Sequence, residues 1–361
     1  MLRLGVVGVG HLGKEHARIL AGMPDVSLVG VADPNSAQAE SVALRCGTRA
    51  YHDFRQLLDT VDAAVVAAPT MHHHAIAREF LARGVHLLIE KPLTADVELA
   101  DDLVGRARAS GAVLQAGHIE RFNPAFNELI RHPLRPKYIS CERCSGFSGR
   151  STDIGVVLDL MIHDLDLVLA LVKSPVTSVW AMGAAALGGH EDIARARVTF
   201  ANGCVADLAA SRVHPTPIRQ MQLWGAEGYA GVDFAKRQLS LMQPAETLRQ
   251  GRIDSRRLDS TTAASLKAEL FSRYFLSQEI DCAGADQLTM ELQEFITCVR
   301  NERSPRVDGV AGRNAVALAG QVLDKIRSHE WEGSAAGPIG PNHLPAVAGT
   351  LFIPPARGAA A

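Results

Sequence analysis

The sequence predicts an α/β protein in two parts: a doubly wound parallel sheet covered by helices, then a second α/β region built on an antiparallel or mixed sheet. Three observations carry this reading. Over the first 120 residues, short β-branched runs alternate with helical patterns across short links marked by Gly or Pro, as in parallel strands joined by crossover helices. The first of these strands runs into a glycine-rich turn that opens a helix. After Pro124 the alternation ends, and longer segments of period two follow, separated by turn signals.

"LRLGVVGV" reads as a buried strand and "GKEHARILAGM" as a helix ending near Gly22. The strand "VSLVGVAD", a helix around "AQAESVALRCG" and the strand "AAVVAAP" follow. The helix "HAIAREFLARG", the strand "HLLIEKP", the helix "DVELADDLVGRARASG" and the strand "VLQAGH" complete the series. Helices are expected next at residues 125–131 and 154–172. "VTSVWAMGAAAL", "DIARARVTFANGCVADLAASRV" and "RQMQLWGAEGYAGVDFAKRQLSLM" supply the second sheet, with turns at "ANG" and "GAEG". Residues 252–285 read as charged and irregular, and two helices follow, "LTMELQEFITCVRNE" and "GVAGRNAVALAGQVLDKIRSH". The expected division is 1–121, 122–330 and a Gly/Pro/Ala-rich tail over 331–361.

The chain of 361 residues carries Lys+Arg 37 against Asp+Glu 39, with no basic excess to point to a nucleic-acid or membrane-surface partner. No apolar run reaches the roughly 18 residues of a membrane span. The start "MLRLGVVGVGHLG" is too short and too Gly-broken for a secretory leader, so a cytoplasmic protein is expected. Six cysteines are scattered, and the pair Cys141 and Cys144 has no second pair at zinc spacing. Unpaired thiols are the expectation.

Gly8-x-Gly10-x-x-Gly13 stands between the first strand and the first helix, the context in which this pattern has a mechanism. Gly8 permits the tight turn, Gly10 lets a pyrophosphate approach the backbone, and Gly13 lets the helix pack on the strand. The helix N-terminus offers free N–H groups to phosphate. Asp33 lies 20 residues beyond Gly13, where a carboxylate binds a ribose 2′-hydroxyl. Pro34 and Asn35 follow it rather than an arginine for a 2′-phosphate, so NAD is expected over NADP.

"HLLIEKPLT" puts Glu90, Lys91 and Pro92 at the C-terminal end of a parallel strand, outside which ligands bind in open α/β sheets. Further on, the apolar run "VVLDLMIHDLDLVLALV" carries Asp159, His163, Asp164 and Asp166. At about 100° per residue, Asp159, His163 and Asp166 fall within roughly 60° of one another, and Asp164 points elsewhere. A zinc site lacks a second good nitrogen or sulfur ligand there, so no metal is expected.

The glycine pattern, "APTMHHHAIAREFLARGVHLLIEKP", the D-x-x-x-H-x-x-D spacing of Asp159, His163 and Asp166, "WGAEGYAGVDF" and "ELQEFITCVRNERSPRVDG" resemble the glucose–fructose oxidoreductase/inositol dehydrogenase (Gfo/Idh/MocA) family over residues 1–330. The resemblance implies a Rossmann domain, an α/β domain with a large open sheet, and NAD(P)-linked chemistry on a sugar-like hydroxyl or carbonyl. It makes Lys91, Asp159 and His163 the catalytic residues. The cofactor residues it implies are Gly8, Val9, Gly10, His11, Leu12, Gly13, Asp33, Pro34, Pro69, Thr70, His73, Glu90 and Lys91. Met161 stands where the family often has Gly.

"AGHIERFNPAF" and "LDLMIHDLDLVLAL" resemble the branch that oxidises C3 of UDP-N-acetylglucosamine on the way to amide-linked lipid A. On that likeness Glu120, Arg121 and Asn123, with Lys91 and His163, meet the sugar nucleotide; for Arg121 a salt bridge at the domain junction is the competing role. A free-sugar or inositol dehydrogenase and a non-catalytic dinucleotide or sugar sensor are the alternatives. In the expected mechanism His163 is the general base, Asp159 orients it, and Lys91 holds the reacting hydroxyl and shares the proton, with Lys91 as the alternative base. Open sheets in this family pair face to face, so a homodimer or homotetramer is implied. Trp180 fits such a face or a core equally well.

Overall fold

Strands buried on both faces read as unbroken apolar runs, and the central strands of the first sheet are of this kind. The computed structural model describes residues 1–329 apart from 150, 152, 188, 251 and 252. β1 (Leu2–Val7), β2 (Val26–Ala32), β3 (Arg49–Tyr51), β4 (Ala63–Val66), β5 (His86–Glu90) and β6 (Leu114–Gly117) form a sheet of order β3-β2-β1-β4-β5-β6, parallel throughout. Every residue of β4 is buried. Helices α1 (Gly13–Ala21), α2 (Ser36–Cys46), α3 (Thr70–Leu81) and α4 (Val97–Ser110) make the crossovers. The chain leaves β1 towards β3 and then returns to β4. The strand order therefore reverses between β1 and β4, and their C-terminal ends open the crevice in which such sheets bind ligands.

The second part begins with α5 (Pro124–Leu129) and β7 (Pro136–Cys144). A π-turn at Val157–Met161 leads into α6 (Ile162–Val172), so the single helix expected over 154–172 is broken into two geometries. Then come β8 (Val176–Ala184), β9 (Ile193–Phe200), β10 (Val205–Ser211), β11 (Ile218–Gly225), β12 (Gly228–Asp233) and β13 (Gln238–Pro244). The short α7 (Glu246–Arg249), α8 (Ser260–Glu269), β14 (Phe275–Asp281), α9 (Gln287–Arg300) and α10 (Gly309–Arg327) complete the described chain. The eight strands run β14-β13-β12-β11-β7-β10-β9-β8, with β7 and β10 parallel and all other neighbours antiparallel.

Register assigns the faces of this sheet. One row of cross-strand partners, Ala181, Ala196, Leu208, Cys141, Met221 and Val232, is buried throughout. The neighbouring row begins Trp180, Arg197, Asp207, Ser140 and faces outward. α6 and α10 pack on the buried side. α9 lays Leu288, Leu292 and Phe295 into the apolar cluster of Leu4, Val6 and Leu20 around β1 and α1. α10 contacts α4 and β6 as well as β8, with Gly312 so close to Ala116 that a Cβ would come within 2.6 Å of it. The first sheet is thus covered in part by chain from beyond residue 285.

Candidate active site

The glycine loop closes the crevice on the β1 side. Gly8 has φ +80, and a Cβ there would lie 2.6 Å from the backbone N of Ala68. A Cβ on Gly13 would lie 1.8 Å from the carbonyl of Gly8, so the start of α1 can approach the strand only with glycine there. Gly10 is exposed and meets only the end of the Gln38 side chain, at 4.0 Å, leaving its backbone approachable. Val9 is buried, while His11 and Leu12 are exposed on the rim. Asp33 Oδ2 accepts the Val9 N–H at 2.9 Å, and its Oδ1 accepts the Asn35 N–H at 2.9 Å. That carboxylate ties the glycine loop to the end of β2 and sets a negative charge beside it; Pro34 next to it is exposed. The positive dipole end of α1, the approachable Gly10 and the Asp33 carboxylate fit a dinucleotide.

Pro69 is exposed at the N-cap of α3, and Thr70 is buried behind it. His73 is buried, its Nδ1 2.9 Å from the carbonyl of Pro92 and its Nε2 2.7 Å from that of Ala68. It therefore straps the turn after β4 to the turn after β5. Burial keeps its pKa below the ordinary range, although both carbonyls favour the protonated ring. His74 pairs with Asp102 at 2.7 Å, away from this strap.

Lys91 follows β5, and its Nζ donates to the carbonyl of Asp159 at 2.7 Å and to Oδ1 of Asp159 at 2.9 Å. The pairing of Asp159 with His163 expected from the helical wheel is therefore replaced by pairing with Lys91. Asp159 lies in the π-turn, where the uniform spacing of an α-helix does not hold. His163 is buried, and its Nδ1 has no hydrogen-bond partner. Burial first, then the charges of Lys91 and Arg143, hold its pKa well below the ordinary range, so it stands as a neutral imidazole.

The other two acids of this helix are fully engaged. Asp166 takes both prongs of Arg121, at 2.6 and 2.9 Å. Asp164 takes both prongs of Arg143, at 3.0 and 2.8 Å, and Arg143 also donates to Glu120 at 2.8 Å. Asn123 donates to Glu120 at 3.0 Å and to the carbonyl of Phe234 at 3.1 Å, and it caps α5 through Ala125. Glu120 and Asn123 are thus spent inside a buried network, and Arg121 makes the junction salt bridge with its side chain 15% exposed.

The sequence reading did not single out His118. It is buried at the end of β6, edge-on to His163 with ring centroids 6.3 Å apart, and neither ring nitrogen has a partner. The strand-end rule that pointed to Lys91 applies equally to His118.

Residues 2–118 match the family model described as "Oxidoreductase family, NAD-binding Rossmann fold", and residues 134–230 match "GFO/IDH/MocA C-terminal domain". The UDP-N-acetylglucosamine 3-dehydrogenase of Acidithiobacillus ferrooxidans is 39% identical over 322 residues, which is 89% of this chain and 96% of that one. A solved structure of that enzyme superposes with a TM-score of 0.78, covering 90% of this chain and 97% of its own. The scyllo-inositol 2-dehydrogenase (NAD(+)) of Bacillus subtilis is 26% identical over 332 residues, 86% of this chain and 89% of that one. A levoglucosan dehydrogenase in complex with NADH shares the fold at a TM-score of 0.76 and 18% identity, over 90% of this chain and 96% of its own. The chain is a nicotinamide-dependent dehydrogenase acting on a sugar-type CH–OH group, and it belongs to the Gfo/Idh/MocA oxidoreductase family.

Proposed function

We propose that the protein oxidises the C3 hydroxyl of UDP-N-acetylglucosamine with NAD, giving the 3-keto sugar nucleotide for amination towards amide-linked lipid A. The observation that carries the chemistry is the Lys91 ammonium, held by Asp159 at the C-terminal end of β5 beside the glycine crevice, with its charge acting on the buried neutral His163 of α6. The substrate rests on the 39% identity to the dehydrogenase of that sugar nucleotide. Nicotinamide, when bound, supplies the hydride acceptor. His163, neutral and buried, takes the hydroxyl proton. Lys91 donates a hydrogen bond to the reacting oxygen as negative charge builds there, and Asp159 holds its ammonium in place. The Asp33 carboxylate at the end of β2 repels a 2′-phosphate, which favours NAD over NADP.

The open face of the eight-stranded sheet supports a homodimer or homotetramer. All six cysteines are unpaired, which fits the reducing cytoplasm. No described helix is long and apolar enough to cross a membrane.

A thermal-shift panel with NAD plus UDP-N-acetylglucosamine, UDP, myo-inositol or glucose tests the substrate, because ligands of the native state raise its stability. UDP-N-acetylglucosamine should raise Tm and yield NADH together with a product two mass units lighter. Absence of a shift with both uridine ligands would remove the sugar-nucleotide reading, and turnover of myo-inositol instead would identify a polyol dehydrogenase. NAD binding with no turnover of any member of the panel would leave a sensor.

A further inference from the structure

Behind the Lys91 turn, three buried residues from three elements converge: His16 of α1, Glu90 at the end of β5 and Glu291 of α9. A polar atom of each lies within 4.8 Å of those of the other two. His16 Nε2 is 2.7 Å from Glu90 Oε1, and Glu90 Oε2 accepts the main-chain N–H of Lys91 at 3.3 Å. Glu291 has no exposed surface, and neither of its carboxyl oxygens has a partner. Its backbone is held separately, since Gln115 Nε2 donates to the Glu291 carbonyl at 3.2 Å. A buried carboxyl with no donor facing it is not stable as an anion. With its proton retained it owns one O–H, and polar atoms of Glu90 and His16 lie within 4.8 Å of its carboxyl, a gap that a small side-chain rotation closes to a hydrogen bond.

We propose that Glu291 is a positioning residue of the dehydrogenase: its carboxyl O–H donates into the Glu90–His16 pair and so fixes the carboxylate that receives the main chain of Lys91. The inference rests on Lys91 acting at the reacting hydroxyl, as above. Around Glu291 the titratable groups are Glu90, His16, Lys91, His118 and, on its own helix, Glu294. Burial first, then the charges of Glu90 and Glu294, raise the Glu291 pKa well above the carboxylate range. Burial alone would raise Glu90 too, but the His16 hydrogen bond and the Lys91 charge outweigh it and hold Glu90 ionised. One retained proton thus sits beside one anion.

Two measurements on the full-length enzyme test this. With NAD and UDP-N-acetylglucosamine, Glu291→Leu, which cannot donate, should lower kcat by about tenfold or more while NAD affinity stays within about twofold. Glu291→Gln, whose amide still donates, should restore kcat to within about threefold of wild type. The second measurement is Tm against pH. The native state keeps a proton on Glu291 that the unfolded chain releases above about pH 4.5, so wild type loses stability as pH rises towards the native pKa. Gln has no such proton to lose, and the Tm advantage of Glu291→Gln should widen from about pH 5 to pH 8.

Wild-type kcat in Glu291→Leu, equal losses in both variants, or a Tm gap that does not change with pH would overturn the proposal. So would a stoichiometric divalent metal in the purified enzyme by mass spectrometry, with Glu291→Gln lowering Tm, since the trio would then be an ion site. If Lys91→Met and His163→Asn keep full turnover, the assignment of the catalytic pair fails first; if they lose it and Glu291→Leu does not, the positioning role alone fails.

Discussion

His163 is the residue whose charge state matters most to the proposed chemistry. A proton acceptor must be empty at working pH, and burial beside Lys91 and Arg143 keeps this imidazole empty. His163→Asn should lower kcat by a factor of about 10² or more with NAD affinity retained. The same depression has a stability sign. The unfolded imidazole takes a proton near pH 6.5, while the native one stays neutral. The unfolded state therefore binds more protons below that pH, and stability falls as pH drops through about 6.5. In His163→Asn that component is gone, so its urea midpoint should change less than that of wild type between about pH 7.5 and 5.5. Parallel midpoints for the two proteins would show that the native ring takes up its proton normally. The places of Lys91, after a strand end, and of His163, on a helix, were legible in the sequence because strand ends and helical spacing are local properties. Their partners were not: Lys91 meets Asp159 across 68 residues of chain, and Asp164 meets Arg143 across 21. A helical wheel separates Asp164 from the other acids but gives no sign of what lies opposite.

At the scale of elements, the apolar stretch with three acids is resolved by what packs on it. α6 lies between β7 and the segment after β6, and each of these neighbours supplies an arginine: Arg143 from β7 and Arg121 from beyond β6. Arg143 and Asp164 are almost without exposed side-chain surface, at 4% and 2%. Removing one partner of such a pair strands a buried charge, at a cost of about 3–5 kcal/mol, whereas replacing both with apolar groups is far milder. Arg143→Met should therefore lower stability by about that amount, and Arg143→Met with Asp164→Leu should recover part of it in urea unfolding. No recovery in the double variant would mean that the residual loss lies with Glu120, the other acid on Arg143. The strand β14 shows a different limit of reading. It is an edge strand exposed at most positions, so no apolar alternation marks it, and residues 252–285 read as irregular. β3 is only three residues long, too short for a periodic signal. By contrast, the central strands β1, β4 and β5 of the first sheet were plain, because burial on both faces makes them almost continuously apolar.

At the scale of the whole molecule, α6 and α10 pack on one face of the eight-stranded sheet, and the other face leaves large aromatic side chains exposed among the described residues. Tyr138, Trp180 and Trp224 are 38%, 51% and 43% exposed, although large aromatics are usually covered. Tyr138 and Trp224 are direct cross-strand partners, and Trp180 pairs across with Arg197, so register puts all of them on the outward side. The sequence alone left Trp180 divided between core and interface; its neighbours across the sheet decide that it faces out. Between them, Arg197 holds Asp207 through two bonds at 2.7 and 2.8 Å, and Tyr138 Oη donates to Asp207 at 3.0 Å. Aromatic surface crossed by a fixed charge row, around a depression of about 610 Å³, suits a self-complementary partner better than water. A stable pairing needs about 800 Å² per partner, an area within the span of an eight-stranded sheet. The expected state is a dimer or tetramer by light scattering at micromolar concentration. Trp180→Asp places an acid on this face, outside the crevice formed by β1, β4 and β5, and should shift the mass towards the monomer while leaving NAD binding in place. An unchanged mass would put the interface elsewhere on the surface, and a wild-type monomer would remove the sheet-to-sheet assembly altogether.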